Sequence, residues 1–180
     1  MKTVVIGKVE FRGSKIHGMG GFAGAKIRKG ERIIEYVGER MDKKESERRC
    51  LEEDNRYVFE IDDEHDIDGS VEWNPARWFN HSCDPNAESD VIDGHVYLSA
   101  LRKIEPGEEI TYNYNFDLEE YDGYPCNCGM KRCVGYILDE EYWPKLKKLE
   151  KKRKAAEKRQ AEKNSKKKAR KKSKKKSGRP

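Results

Sequence analysis

The chain has 180 residues, of which 34% are hydrophobic and 41% are charged. This length suits one domain, and the composition is poor in apolar residues for a fully globular chain. Its net charge of +5 is the sum of two regions of opposite charge. The basic region, residues 145–180, carries 20 Lys and Arg against 3 Asp and Glu, a net of +17, which leaves residues 1–144 with −12. No run approaches the roughly 20 apolar residues that cross a bilayer, and the first residues do not resemble a signal peptide. We therefore expect an intracellular protein, not a transmembrane, secreted or collagen-like one.

Short strands follow one another through the acidic region. Alternating and β-branched residues predict strands over 4–11, 25–27, 33–37, 57–61 and 109–114. Residues 91–92 and 96–98 flank Asp93-Gly94, a strong signal for a hairpin turn. Residues 43–54 are polar helix formers without a breaker, which predicts a surface helix. The absence of a βαβ rhythm indicates a mainly β domain and disfavours a Rossmann fold.

Helical spacing begins near residue 139. Tyr142, Leu146 and Leu149 stand at i, i+4 and i+7, which gives a narrow apolar stripe. Residues 164–180 are Lys-rich, of low complexity and self-repelling, and we expect them to be disordered in isolation. The boundary between the folded domain and the basic region is expected near residue 150.

Five cysteines indicate a metal site more than a disulfide framework, because their count is odd and no signal peptide is expected. Three of them have the spacing C-x-C-x4-C over residues 126–133, which suits thiolates that converge on one tetrahedral ion. A fourth ligand must come from a distant segment, and both Cys83 and Cys50 are candidates. The alternative, a set of small buried hydrophobic residues, is disfavoured by the polar neighbours Asn127, Lys131 and Arg132.

Three further segments hold groups suited to chemistry. Residues 15–23 are rich in glycine, which lets the backbone approach a ligand, although such a loop alone is more often a turn. Residues 74–86 combine aromatic residues with Asn80, His81 and Cys83. Residues 107–116 place Tyr112 and Tyr114 on one face of a strand, either as core or as the lining of a polar-tipped channel.

In this order and spacing the segments resemble the SET-domain protein lysine methyltransferases over residues 9–136. Residues 74–86 are similar to the family signature N-x-x-R-F-x-N-H-S-C-x-P-N, and residues 107–114 to G-E-E-L-T-[FY]-[DN]-Y. Residues 15–23 resemble its G-x-G motif, and residues 126–135, which read C-x-C-G-x3-C-x-G, resemble its post-SET zinc motif. Met19, Trp78 and Asn113 are mild departures from the pattern, and we expect no cysteine-rich pre-SET module.

The resemblance implies a mainly β fold: a SET-domain β-clip of short curved strands with a pseudoknot, a zinc-bound post-SET loop and a C-terminal helix. The implied divisions are a SET domain over 4–116, a post-SET zinc segment over 117–138, a helical extension over 139–163 and a disordered Lys-rich tail over 164–180. Cys83 would then be the fourth ligand of a structural zinc ion, with Cys126, Cys128 and Cys133. Cys50 would be an ordinary helix residue.

The same resemblance implies methyl transfer from S-adenosylmethionine to a lysine amine. Tyr114 would lie beside the transferred methyl group, Tyr57 would form a wall of the lysine channel, and Tyr112 would limit the product to mono- or dimethyllysine. The implied cofactor contacts are His17, Gly18, Met19, Arg77, Asn80, His81, Tyr124 and Asn127.

The charges suggest partners. Residues 117–122 are acidic and either attract a lysine-rich substrate or form a solvated loop. The basic region suits phosphates of nucleic acid, a localisation signal, or the substrate channel of the domain itself. We expect a histone or DNA-packaging protein as substrate and a place in the nucleus, chromosome or nucleoid, with the cytoplasm open. The competing interpretations are a catalytically idle SET-like scaffold and a small zinc-containing nucleic-acid-binding protein.

Overall fold

The computed structural model describes residues 3–119 and 121–176, with the side chains of 162, 163 and 165–176 left out. Two compact units make up the chain, Met1–Asp139 and Glu140–Pro180. None of the described helices is both long enough and apolar enough to cross a lipid bilayer.

Short strands dominate the described part of the first unit. They are β1 Val4–Ile6, β2 Val9–Gly13, β3 Met19–Ala23, β4 Arg32–Tyr36, β5 Glu39–Asp42, β6 Val58–Glu60, β7 His65–Asp68, β8 Asn80–His81, β9 Ala87–Ile92, β10 His95–Ala100 and β11 Glu109–Tyr112. One helix, α1 Lys43–Glu52, lies between β5 and β6. The prediction of a mainly β fold is confirmed.

The described strands form three small sheets, with the orders β1-β2-β3-β11-β8, β4-β10-β9 and β5-β7-β6. Most neighbours are antiparallel, but β8 and β11 pair in parallel, with Thr111 opposite Asn80 and Tyr112 opposite His81. This contact joins the two signature segments, which are about thirty residues apart in sequence.

The core of the first unit follows from alternation in the strands. In β2, Val9 and Phe11 are fully buried, while Glu10 and Arg12 are only half-buried. The Phe11 ring lies 5.4 Å from that of Phe79, centroid to centroid. Strands β4, β10 and β11 add Tyr36, Leu98 and Ile110 to the same buried cluster.

Several predicted elements are confirmed with shifted boundaries. The hairpin over β9 and β10 turns at Asp93 and Gly94, both with positive φ (52° and 78°), as a type I′ turn requires. Asp42 is the N-cap of helix α1, and its side chain accepts a hydrogen bond from the Glu45 N–H. The predicted strand over 4–11 is wrong in one respect, because Gly7, with φ 57°, splits it into the hairpin of β1 and β2.

Strand β3 was missed because glycine-rich sequence predicts a loop. Its glycines have a packing role: a Cβ on Gly21 would overlap the Phe79 ring, and one on Gly20 would overlap the Glu109 carboxylate. Close approach of the backbone is therefore required here, as the sequence suggested, but the neighbours are protein side chains.

The second unit contains a short 3-10 turn, Glu140–Tyr142, followed by helix α2, Trp143–Lys176. The sequence predicted a helix to residue 163 and disorder from 164, whereas the helix continues through 164–176. Lys, Arg and Ala favour helix, and no Gly or Pro occurs between Pro144 and Gly178. Residues 177–180 of the predicted tail lie outside the described residues.

Candidate active site

A row of aromatic rings runs from β4 to the segment after β11. Tyr36 and Phe59 have ring centroids 4.6 Å apart, Phe59 and Tyr112 6.1 Å, Tyr112 and Tyr114 4.9 Å, and Tyr114 and Phe116 5.7 Å. We call these five residues the aromatic row. Such faces suit the aliphatic stem of a lysine and attract a cationic nitrogen.

Two of the three phenols in the aromatic row, those of Tyr36 and Tyr114, donate hydrogen bonds to backbone carbonyls. Tyr36 donates to the Tyr57 carbonyl at 3.0 Å, and Tyr114 donates to the Phe79 carbonyl at 2.8 Å. Burial raises the pKa of Tyr112 and of Tyr114 above the ordinary value, and neighbouring phenols add to the effect. These side chains are therefore neutral at physiological pH.

Access to this region is graded. Tyr57 is 45% exposed, whereas Tyr112 is 6% exposed. Because the Tyr57 carbonyl holds the Tyr36 hydroxyl, the exposed tyrosine is anchored to the buried row. The surroundings of the aromatic row thus range from the exposed Tyr57 to the buried Tyr112.

A cavity of about 220 Å³ is lined in part by Tyr114. Its lining also includes His17, Asn80, His81 and Asn127, all of which the sequence predicted as cofactor contacts. Tyr114 belongs both to this lining and to the aromatic row. The cavity and the aromatic row therefore meet at one tyrosine.

Asn80 fixes the wall of the cavity. Its Nδ2 lies 3.0 Å from the Met19 carbonyl oxygen, 3.2 Å from that of His17 and 2.8 Å from the Glu109 carboxylate, so the three acceptors share two N–H donors. The same carboxylate accepts from the Ser14 hydroxyl at 2.6 Å. One buried amide thus ties the glycine-rich segment to strands β8 and β11.

Four cysteines converge next to the cavity. The Sγ of Cys83 lies 3.8 Å from those of Cys126 and Cys133, and all four sulfurs, including Cys128, lie within 4.8 Å of one another. A tetrahedral ion with metal–sulfur bonds of about 2.3 Å requires sulfur–sulfur edges of about 3.8 Å. The cluster therefore fits zinc, and Cys50 on α1 is not part of it.

Cys83 and Cys126 share a proton. The hydrogen bond between the two thiols lowers the pKa of Cys83, and the same contact raises that of Cys126. Because metals bind thiolates, an ion at this cluster would displace the shared proton.

Four predicted cofactor contacts are not among the residues that line the cavity, namely Gly18, Met19, Arg77 and Tyr124. Arg77 directs a guanidinium N–H to the Ser70 carbonyl at 2.6 Å, and it is not among the residues that line the cavity. Tyr124, which also does not line it, packs its ring against Phe116, 5.0 Å between centroids. Gly18 lies between the two residues whose carbonyls accept from Asn80.

Sequence reasoning missed several members of the site, namely Tyr36, Phe59, Glu109, Phe116 and Ile137. Alternation offered a signal for two of them. Phe59 is two residues after Tyr57, and Phe116 is two residues after Tyr114, so each occupies the same face if the chain is extended.

The fold and the site together define a class: a mainly β protein in which a tyrosine-walled cavity adjoins a cysteine cluster that can bind zinc. The SET domain family model matches residues 18–115. The chain belongs to the SET-domain family.

Curated relatives support this assignment. The chain is 42% identical over 132 residues to the histone-lysine N-methyltransferase trithorax of Drosophila virilis, with 69% of this chain and 3% of the relative covered. It is 41% identical over 133 residues to histone-lysine N-methyltransferase 2B of Homo sapiens, covering 69% and 5%. It is 39% identical over 151 residues to histone-lysine N-methyltransferase TRX1 of Oryza sativa subsp. japonica, covering 78% and 15%. The chain thus spans only a small part of each relative's length.

Proposed function

We propose that this protein transfers a methyl group from S-adenosylmethionine to lysine side chains of a basic protein. One observation carries the proposal: Tyr114 is shared by the cavity and by the aromatic row. A methyl donor in the cavity and a lysine in the row would meet at its hydroxyl. The names of the relatives, all histone-lysine N-methyltransferases, support the same activity.

The cofactor, when bound, supplies a methyl group on a cationic sulfur. His17, Asn80 and Asn127 would hold it through the cavity wall. The Gly18 and Met19 backbone adjoins that wall. The residues fit such a molecule because a rigid polar edge, fixed by Asn80, faces an aromatic one at Tyr114.

The aromatic row would prepare the lysine. A free lysine amine has a pKa near ~10.4 and must be neutral to attack the methyl carbon. Removal from water lowers that pKa, and a cation nearby lowers it further. The Tyr114 hydroxyl donates its hydrogen bond to the Phe79 carbonyl, so its oxygen keeps acceptor capacity for the amine. The enzyme's contribution is alignment and exclusion of water.

The degree of methylation is proposed to be one or two. The Tyr112 ring lies 4.9 Å from that of Tyr114, and its raised pKa keeps a neutral hydroxyl in the buried middle of the aromatic row. A hydroxyl there occupies space and binds a water or the amine, which disfavours a third methyl group.

The substrate is proposed to be histone-like or associated with nucleic acid, and the protein to act at the chromosome or nucleoid. Residues 1–144 carry a net charge of −12, which attracts lysine-rich segments. In helix α2 the side chains from 151 to 161 are exposed and mostly charged. We propose that the basic region binds phosphates without base specificity.

Zinc is proposed to be structural, held by Cys83, Cys126, Cys128 and Cys133. Cys126 also lines the cavity, so the metal would fix one wall of the cofactor site. Binding energy at such a site is folding energy.

The test is transfer of radiolabel from methyl-labelled S-adenosylmethionine to histones, to other basic proteins and to the chain itself. Hydrolysis of the product should yield methyllysine. The variant Cys83→Ser, purified in the same way, controls for a contaminating enzyme. Cofactor binding without transfer would replace the proposal by an idle SET-like scaffold. Absence of cofactor binding, with nucleic-acid binding retained, would indicate a zinc-containing nucleic-acid-binding protein.

A further inference from the structure

The side chain of His81 lies between the cysteine cluster and the strand that leads to Tyr114. It is 3% exposed and stands opposite Tyr112 in the parallel pairing of β8 with β11. Its Nδ1 is 3.4 Å from the Tyr114 backbone nitrogen, and its Nε2 is 3.6 Å from the Cys83 sulfur. The imidazole also packs edge to face on the Tyr114 ring, with 5.4 Å between centroids.

These contacts define the tautomer. A backbone N–H can only donate, so Nδ1 must be the acceptor of the Tyr114 N–H. In a neutral imidazole the proton then resides on Nε2, from which it is directed to the Cys83 sulfur. Both ring nitrogens thus have partners within the protein. His81 can therefore contact a ligand in the cavity only through its backbone or through the face of its ring.

We propose that His81 is a positioning residue that connects the cysteine cluster to the active-site tyrosine. The proposal rests on the function proposed above. His81 does not itself bind the metal, but its Nε2–H orients the Cys83 sulfur. Such hydrogen bonds determine the basicity and the orientation of a metal ligand. The Nδ1 end fixes the backbone of Tyr114, whose hydroxyl must stay at the junction of the cavity and the aromatic row. A role in strand pairing alone would require neither nitrogen.

Two substitutions separate the two contacts. In His81→Asn, the amide oxygen replaces Nδ1 as acceptor for the Tyr114 N–H, but no group reaches the sulfur. In His81→Gln, the longer amide places an N–H near the position of Nε2, but no acceptor remains at Nδ1. His95→Asn is the matched control, because His95 is exposed on β10 and pairs with Glu35 at 2.7 Å.

The full-length protein is loaded with zinc or with Co(II). Zinc affinity is measured by chelator competition and the sulfur-to-cobalt charge-transfer band by absorbance. We expect His81→Asn to weaken zinc binding by about 10- to 100-fold and to move the cobalt band to lower energy, with a smaller loss of kcat in the zinc-saturated protein than His81→Gln shows. His81→Gln should keep the zinc affinity and the band of the wild type and lower kcat by about 10-fold at unchanged KM, the loss expected for one hydrogen bond.

Separation of the two effects supports the proposal. Parallel losses of zinc affinity, kcat and melting temperature in both variants would overturn it, because a merely structural histidine behaves in that way. A cobalt spectrum of His81→Asn equal to that of the wild type would also overturn it. If the wild type transfers no methyl group, the proposed function fails, whereas the zinc and cobalt measurements still decide whether His81 acts on Cys83.

Discussion

The two units of the chain depend on their sequence in different ways. In Met1–Asp139 the site is assembled from segments far apart in sequence, and its contacts are specific to the atom: Asn80 holds two carbonyls and a carboxylate. In the described part of Glu140–Pro180, one helix presents exposed, mostly charged side chains from 151 to 161. A substitution that removes a single polar atom should therefore impair the function of the first unit. The function of the second unit should be lost only when many charged side chains are removed.

Metal removal should have the largest effect, and it should be confined to the first unit. A chelator strong enough to strip the cysteine cluster should abolish methyl transfer, because about 10 kcal/mol of binding energy at a structural zinc is folding energy. Metal analysis should give one zinc per chain. Cys50→Ser, on helix α1, should leave the activity and zinc content unchanged. Activity and melting temperature that persist after complete zinc removal would contradict the assignment.

Deletion of residues 151–180 tests the second unit. We expect non-specific DNA and RNA affinity to fall by at least about 100-fold at low salt, because the contacts are to phosphates and release counterions. Filter binding across a salt series measures it, and the slope of log affinity against log salt should flatten. Affinity that does not change on deletion would remove nucleic-acid binding from the account.

Ion pairs should also differ between the units. In the first, Asp68 has a 3% exposed side chain and accepts from Arg49 at 2.6 Å. In helix α2, Arg153 and Glu157 form an exposed pair at 3.6 Å. We expect Asp68→Asn to lower the free energy of unfolding by about 2–3 kcal/mol and Glu157→Gln by less than about 0.5 kcal/mol, as measured by urea denaturation. Equal effects would contradict the contrast.

The buried pair also predicts a pH dependence. Burial raises the pKa of Asp68, but hydrogen bonds from Asn55, Ser70 and Arg49 outweigh it, so that the pKa is lowered overall. A carboxylate with a depressed folded pKa stabilises the protein above its unfolded pKa of about 3.9, and that stabilisation is lost as pH falls through the folded value. The wild type should therefore lose more stability below about pH 4 than Asp68→Asn does. Parallel acid-denaturation curves would contradict this assignment.

The smallest change expected is one of product distribution. Tyr112→Phe removes a buried hydroxyl from the aromatic row and should shift products from mono- and dimethyllysine toward trimethyllysine, with total turnover within a few-fold of the wild type. Mass spectrometry of a modified peptide measures it. Predominant trimethylation by the wild type would contradict the role proposed for Tyr112.

Local patterns predicted much of the fold. Alternation and turn residues located the β9–β10 hairpin, and the cysteine spacing located three of the four clustered sulfurs. Strand β8 could not be found in this way, because its two residues are extended only through parallel pairing with β11. Strand β3 could not be predicted from its own residues. Its glycines are needed because the Phe79 ring and the Glu109 carboxylate, which are distant in sequence, leave no room for a Cβ.

Residues of the cavity could be predicted where a sequence motif specifies their position. They could be predicted less well where a long side chain has several hydrogen-bond acceptors within reach. Asn80, His81 and Tyr114 do line one cavity. Arg77 was expected there too, but in the short 3-10 helix Pro75–Trp78 its guanidinium reaches the Ser70 carbonyl. Sequence gives the identity of such a group and not its nearest acceptor.

The central claim is that Tyr114 acts where the cavity and the aromatic row meet. It is tested most directly by comparing Tyr114→Phe with Tyr97→Phe, whose ring lies on β10 beside His95, for cofactor affinity by calorimetry and for kcat with a lysine substrate. We predict a fall in kcat of about 100-fold or more for Tyr114→Phe, with cofactor affinity within a few-fold of the wild type and Tyr97→Phe unaffected. Wild-type kcat in Tyr114→Phe would contradict the account.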